Sequence, residues 1–273
     1  MKKMLLFAVG ILVFWCLPAS AADGPGVIWA GGGLRLADES APAYLADAFV
    51  SLGQMDNLYV FANPTFLIKR SEAGLDLGVG ALLPVLGGQA LAGYNIFLDY
   101  TTDNSHKRLG AGAEFFHRNF SGHLNLYLPF SDEHDGETAI PGIDLSFGIP
   151  VPNAPFVVVW PGAYYYKGDD RSDMKGMSLM VEVKPVRAVS VFFGGRNDAI
   201  ESGRNDRGEI FAKVEVTIPM KRLSEDLFSF DKGRFEMNSG TSVYFMNAGG
   251  PPSRKTLTPS PPRAVAARSG RSP

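Results

Sequence analysis

Four histidines, His106, His117, His123 and His134, are the side chains of this sequence best suited to moving protons near neutral pH. His106 and His134 fall near Asp103, Asp132 and Asp135, the residue types of a His–Asp pair in a hydrolase. No motif sets a nucleophile beside either histidine, so both read as polar loop tips. His123, two residues before Asn125, reads as a hydrogen-bonding group rather than a metal ligand. Asp169, Asp170 and Asp173 could hold a divalent cation loosely, but the segment lacks the glycine and spaced glutamate of a calcium loop. Gly31-Gly32-Gly33 opens no helix after a strand and makes no phosphate loop. The one cysteine, Cys16, lies in the N-terminal apolar run. The rest of the chain therefore has no thiolate for metal binding, disulfides or nucleophilic attack. No catalytic group, metal or cofactor is expected.

The elements that position these groups are strands. The chain has 273 residues, enough for one large domain, and its 31 glycines and 19 phenylalanines suit strands joined by tight turns. A formal net charge of -2 gives no electrostatic reason to bind nucleic acid. Lys2 and Lys3, the apolar run Met4 to Leu17, and Ala19-Ser20-Ala21 read as a secretory signal peptide cleaved after Ala21. Trp15 stands where a lipoprotein signal needs a small residue before Cys16, so a lipid anchor is set aside. No later run of about 20 apolar residues exists to form a membrane helix.

Period-2 patterning recurs along the remaining chain. It predicts strands at about 26–38, 43–54, 57–69, 73–85, 91–102, 107–117, 120–130, 139–150, 156–167, 174–185, 188–197 and 207–218. Leu124, Leu126 and Leu128 alternate with His123, Asn125 and Tyr127. Ile143, Leu145 and Phe147 alternate with Asp144 and Ser146. The polar parity collects Asp76, Asp99, Glu114, His123, Asn125, Asp144, Glu182, Lys184, Arg196, Lys213 and Glu215. Charged loops, such as 102–107, 131–138, 167–173 and 197–207, alternate with tight turns such as Arg118-Asn119 and 150–155. A soluble sandwich could turn the polar parity to water, but it has no reason to sort its connections in this way. Tyr100, Phe115, Phe130 and Phe193 near strand ends on the apolar parity read as an aromatic girdle. The expected fold is all-β: a transmembrane up-and-down antiparallel barrel of about twelve strands, of the outer-membrane type. Asp76, Asp99, Glu114, His123, Asn125, Asp144, Glu182, Lys184, Lys213 and Glu215 are its candidate lumen-facing residues. Lumen charges of both signs read as a cross-strand network rather than a catalytic dyad.

Gly93-Tyr-Asn-Ile-Phe-Leu-Asp-Tyr100, a polar loop, and Arg108-Leu-Gly-Ala-Gly-Ala-Glu-Phe-Phe116 resemble the signature hairpin of the inverse-autotransporter translocators, the intimin and invasin family. The likeness continues through Gly142 to Leu145, Pro161 to Gly168 and Lys184-Pro185-Val186, and covers roughly residues 55–220. It implies a twelve-stranded barrel in the outer membrane whose N-terminus faces the periplasm. It also implies a chain that turns back through the pore after the last strand toward an adhesive passenger. This sequence departs from the pattern: no room for a periplasmic module is expected before the first strand, and no passenger of its own after the last. The expected organisation is a signal peptide over 1–21, the barrel over 22–219, a pore-threading linker over 220–250 and a basic, Pro-rich disordered tail over 251–273. The expected role is a membrane anchor or conduit. A small diffusion channel and, further off, an outer-membrane hydrolase are the alternatives. Expected partners are outer-membrane lipid, the barrel assembly machinery, periplasmic chaperones and a separate passenger chain, with no nucleic acid.

Overall fold

The computed structural model describes residues 26–38, 41–69, 72–102, 107–117, 119–131, 139–167, 173–186, 188–200 and 207–219. They form twelve strands: β1 (Gly26–Ala37), β2 (Ala43–Met55), β3 (Leu58–Lys69), β4 (Glu72–Val85), β5 (Ala90–Thr101), β6 (Lys107–His117), β7 (Phe120–Pro129), β8 (Gly142–Val151), β9 (Ala154–Tyr166), β10 (Met174–Val186), β11 (Val189–Ile200) and β12 (Arg207–Pro219). Each pairs antiparallel with its sequence neighbours, and β1 closes on β12 from Trp29 opposite Pro219 to Ala37 opposite Phe211. Closure leaves no sheet edge, which is the condition for strands to cross a bilayer. Twelve strands about 4.8 Å apart, tilted by about 40°, close on a backbone radius of about 12 Å.

The predicted strands match these within a few residues. The largest shifts are at β8, which begins at Gly142 rather than 139, and β11, which runs on to Ile200. The connections fall into two sets, one at each end of the barrel. At the turn end, Met55 pairs with Leu58 around Asp56, whose φ of 52° suits the left-handed turn that Asp tolerates. Val151 pairs with Ala154 around Pro152-Asn153, with Asn153 at φ 64°. Proline followed by a positive-φ asparagine is the chemistry of a type II turn. A single 3-10 turn, Leu86–Gly88, joins β4 to β5. The opposite, loop end has the longer links, with one exception. Lys69 pairs with Glu72, so the pairing leaves two residues between β3 and β4, where the predicted strands end at 69 and resume at 73. The segment read as a signal peptide, most of the charged loops and everything after Pro219 lie outside the described residues.

Alternation decides what each face meets. Ile96, Leu98, Leu109, Leu126, Leu128, Leu179 and Ile210 point outward and are exposed, as a lipid-facing band requires. Phe130 and Phe193 are exposed on that same face.

Candidate functional site: the barrel interior

The inner wall is where this fold can do something specific. Large inward side chains fit because glycines stand opposite them. A β-carbon on Gly110 would fall 2.0 Å from the Phe97 ring, one on Gly142 equally close to Tyr166, and one on Gly148 2.6 Å from Trp160. The small residues of the inward parity are thus seats for rings on the neighbouring strand.

The rings form three groups, one of them Trp160, Phe192 and Phe211 with Val158 and Met180 across β9 to β12. Toward the turn end, Trp29, Phe49, Phe61, Leu82, Leu91 and Phe116 make one buried cluster across β1 to β6. Phe49 stacks between Trp29 and Phe61, with centroids 6.2 and 4.8 Å away. Phe116 passes the contact to His123 at 5.5 Å, and His123 to Trp160 at 5.6 Å. Toward the loop end, Phe97, Tyr127, Tyr164, Tyr166 and Met174 make a second cluster across β5 to β10.

Polar groups are bound into this wall. Arg108 on β6 donates to Asp99 across the strand pair at 2.8 Å and lies over the Tyr127 ring, 4.9 Å from its centroid. Tyr127 and Asn125 both donate to Asp144, at 2.6 and 2.8 Å, one to each carboxylate oxygen. Glu209 receives Arg35 and Arg196, each at 2.9 Å. Lys213 lies 3.1 Å from Glu215 and 4.1 Å from the Phe192 centroid. Trp160 donates to Glu182 at 2.9 Å, with Lys184 4.0 Å from the same carboxylate. Asn95 donates to Glu114 at 3.0 Å. Burial raises each such charge-assisted bond above its surface worth, and raises the cost of leaving one partner alone.

The ten sequence-predicted lumen residues fall on the inward parity in the strand registers. Glu114, His123, Asp144, Glu182, Lys213 and Glu215 are buried; Asp76, Asp99, Asn125 and Lys184 are half-buried. The registers set Asp99 opposite Asp76, Glu114 opposite His123, and Asn125 opposite Asp144. Lys184 and Lys213 instead meet acids two residues away on their own strands. Three inward charged residues were missed from sequence: Arg35, Asp47 and Arg108. Their parity was the available signal.

The register also lines up Glu114, His123 and Ser146 across β6, β7 and β8, the residue types of an acyl-transfer relay. The row stands between the Phe116 and Trp160 rings, and Asn95 holds the glutamate. Ser146 is itself paired on both sides, with His123 of β7 and Gly162 of β9. The main chain here is engaged in the sheet, so it offers no ready oxyanion hole. The row therefore fits a hydrogen-bonded wall better than a reaction centre. Among the other predicted chemistry, His106, His134, Asp169 and Asp170 lie outside the described residues, and His117 is half-buried at the turn end of β6. Among the described residues, no three His, Cys, Asp or Glu side chains converge as a metal site.

Among the inward charged side chains described between the strand ends, acids predominate on one side. The wall from β2 to β8 carries Asp47, Asp76, Asp99, Glu114 and Asp144 against Arg108. The wall from β9 through β12 to β1 carries Glu182, Glu209 and Glu215 against Arg35, Lys184, Arg196 and Lys213. The first arc is strongly acidic and the second nearly balanced.

The sequence profile described as "Inverse autotransporter, beta-domain" matches residues 38–232. No curated protein matches the chain in sequence. Among solved structures, one from work on in-meso crystallization of membrane proteins is similar at a TM-score of 0.64 and 16% identity, covering 74% of this chain and 88% of that one. An outer membrane channel from Pseudomonas putida F1 is similar at a TM-score of 0.53 and 10% identity, covering 74% of this chain and 98% of that one. At such identities the likeness is one of fold.

Proposed function

The chain belongs to the inverse-autotransporter β-domain family, and from that premise we propose that this outer-membrane barrel is a conduit holding the segment after β12 in its own lumen. The protein is a translocator-type outer-membrane barrel. On our reading it anchors and passes polypeptide and does no covalent chemistry, the wall's histidine being packed between rings.

One observation carries the proposal: the acidic arc from β2 to β8. The sequence after β12 ends in a basic tail, with Arg254, Lys255, Arg263, Arg268 and Arg271 and no acid between Pro251 and Pro273. An acidic wall favours a chain that carries such a tail across it. Length is sufficient. The apolar band is about 25 Å tall and an extended chain covers roughly 3.3 Å per residue, so about eight residues span it. Residues 220–250 exceed that several times over. Delivery would follow the outer-membrane route, with periplasmic chaperones and the barrel assembly machinery as partners, and a separate passenger chain as the candidate cargo.

The test is topological. Ser260→Cys supplies a single thiol once the signal peptide bearing Cys16 is gone. An impermeant thiol reagent should label it on intact cells. Protection until lysis would put the tail in the periplasm and end the proposal. Conductance of the full chain against one lacking 220–273 distinguishes a threaded pore, which opens on truncation, from a small diffusion channel, which conducts equally in both.

A further inference from the structure

Across the lumen from the acidic arc, the wall gathers cations in one place. Arg35 on β1 and Arg196 on β11 lie against the same oxygen of Glu209 on β12, each at 2.9 Å. Their contacting nitrogens therefore stand no farther apart than those two distances added together. Lys213 is directly opposite Arg35 in the β1–β12 register and lies 3.1 Å from Glu215. Among the described side chains of this corner, the cations Arg35, Arg196 and Lys213 meet two carboxylates, Glu209 and Glu215. Like charges set opposite each other on paired strands are destabilising. The corner is one negative charge short of balance.

Arg35 is the member of this group that water reaches most. Its side chain is 25% exposed, against 16% for Arg196 and 6% for Lys213. It points inward, so the medium it meets is the lumen. Two contacts fix its plane: Nη2 donates to Glu209, and the Phe211 ring lies under the guanidinium carbon, 4.6 Å from centroid to carbon. A guanidinium holds five N–H donors in a flat fork. Arg35 uses one of them on a protein acceptor among the described residues, which leaves donors for an arriving group. The flat fork matches the paired oxygens of a carboxylate or a phosphate, and each such bond gains from the charge on both sides. Arg196 close by adds a second positive charge, so an anion is favoured over a neutral acceptor.

We propose that Arg35, backed by Arg196 and Lys213, is an oxyanion-binding site on the lumen wall that takes a carboxylate or phosphate group. The site belongs to the wall, so it stands whether or not the segment after β12 threads the pore. With the acidic arc facing it, the lumen has two poles of opposite sign. Basic groups inside the barrel are drawn to β2 to β8, and acidic groups to the corner of β11, β12 and β1.

Titration calorimetry with inorganic phosphate tests the site on the full chain in an uncharged detergent, with ionic strength held constant by chloride. Two backgrounds are compared: the natural chain, and one in which Glu225, Asp226, Asp231 and Glu236 are replaced by their amides. Saturable binding of phosphate is expected in at least the second. Affinity about tenfold higher in the amide background means that a carboxylate of the chain itself fills the site; equal affinity means that free anions fill it. In whichever background binds, Arg35→Gln should weaken phosphate about tenfold, the scale of one charge-assisted hydrogen bond. Arg35→Lys keeps the charge beside Glu209 and loses the fork, so it should weaken phosphate by less. It also serves if the glutamine variant fails the heat-modifiable gel shift. Lys175→Gln, exposed on the outer face of β10, should bind as the parent does. The site is overturned by an absence of saturable binding in both backgrounds, or by equal affinity with and without Arg35. Either result leaves the labelling of Ser260→Cys to judge the threaded chain on its own.

Discussion

The two ends of the interior are built on different principles. At the turn end, Trp29, Phe49, Phe61, Leu82, Leu91 and Phe116 meet as carbon on carbon. At the loop end, Tyr127, Tyr164 and Tyr166 also pack closely, yet their neighbours are Arg108, Asp99 and Asp144, tied by directed bonds. Packing tolerates a change of shape if volume is kept, because dispersion and the hydrophobic effect have no direction. A directed network does not tolerate the loss of one atom, because its partner stays behind in a low dielectric. The turn end should therefore answer to volume, and the loop end to single oxygens and nitrogens.

The largest effect should come from testing that contrast directly. Phe61→Ala removes a buried ring stacked on Phe49 and should cost about 3–5 kcal/mol, whereas Phe61→Leu should cost less than about 1.5 kcal/mol. At the loop end, Tyr127→Phe conserves volume almost fully but takes a donor from buried Asp144, and should cost about 1–3 kcal/mol. Denaturant unfolding of the refolded barrel, followed by the heat-modifiable gel shift, gives all three values. If Tyr127→Phe proves as mild as Phe61→Leu, the two ends do not differ in kind.

How much of this was readable beforehand depends on which interaction wrote it. The outward face meets lipid along most of every strand, so Leu124, Leu126 and Leu128 had to alternate with His123, Asn125 and Tyr127. That constraint made twelve strands and their two alternating faces legible. The girdle residues Phe130 and Phe193 obey it too. The ring clusters were not legible, since a ring faces its glycine only once the register is known. Phe97 and Gly110 are thirteen positions apart, and Gly142 and Tyr166 twenty-four. Arg108 was hidden differently: it was read as part of a family motif rather than as an inward charge. The row Glu114–His123–Ser146 needed two registers at once. The β3–β4 link is one residue shorter than the pattern predicts, because Glu72 is polar like Arg70 and Ser71 but is a strand residue.

An intermediate effect sharpens the comparison by moving it from ends to faces. Leu126 points to lipid and is 46% exposed, while its neighbour Asn125 points inward to Asp144. Leu126→Arg places a charge near the middle of the bilayer and should cost roughly 2–4 kcal/mol, visible as lost assembly. Asn125→Arg should be milder, because an arginine there meets the Asp144 carboxylate. Equal insertion of the two variants would contradict the inside–outside assignment of β7.

The smallest effect concerns one hydrogen bond between the two ends, in the middle of β3. Pro64 lies opposite Ala48 in the β2–β3 register, and the ladder skips Ala48 and Phe49 there. Proline has no N–H, so the Ala48 carbonyl loses its regular donor. The Asn63 side-chain amide fills that place and donates to the Ala48 oxygen. Asn63 is 5% exposed, so water cannot readily substitute. Asn63→Ala should then cost about 1–2 kcal/mol, the price of an orphaned buried carbonyl. Pro64→Ala alone restores a main-chain donor that competes with Asn63 for the same oxygen, and should be close to neutral. In the double variant the regular ladder bond is available, so Asn63→Ala should lose most of its cost. A double-mutant cycle in urea therefore predicts a coupling of about 1 kcal/mol between adjacent residues. Equal penalties for Asn63→Ala with and without Pro64 would mean that the asparagine matters for packing against Phe49, and that the carbonyl is satisfied without it.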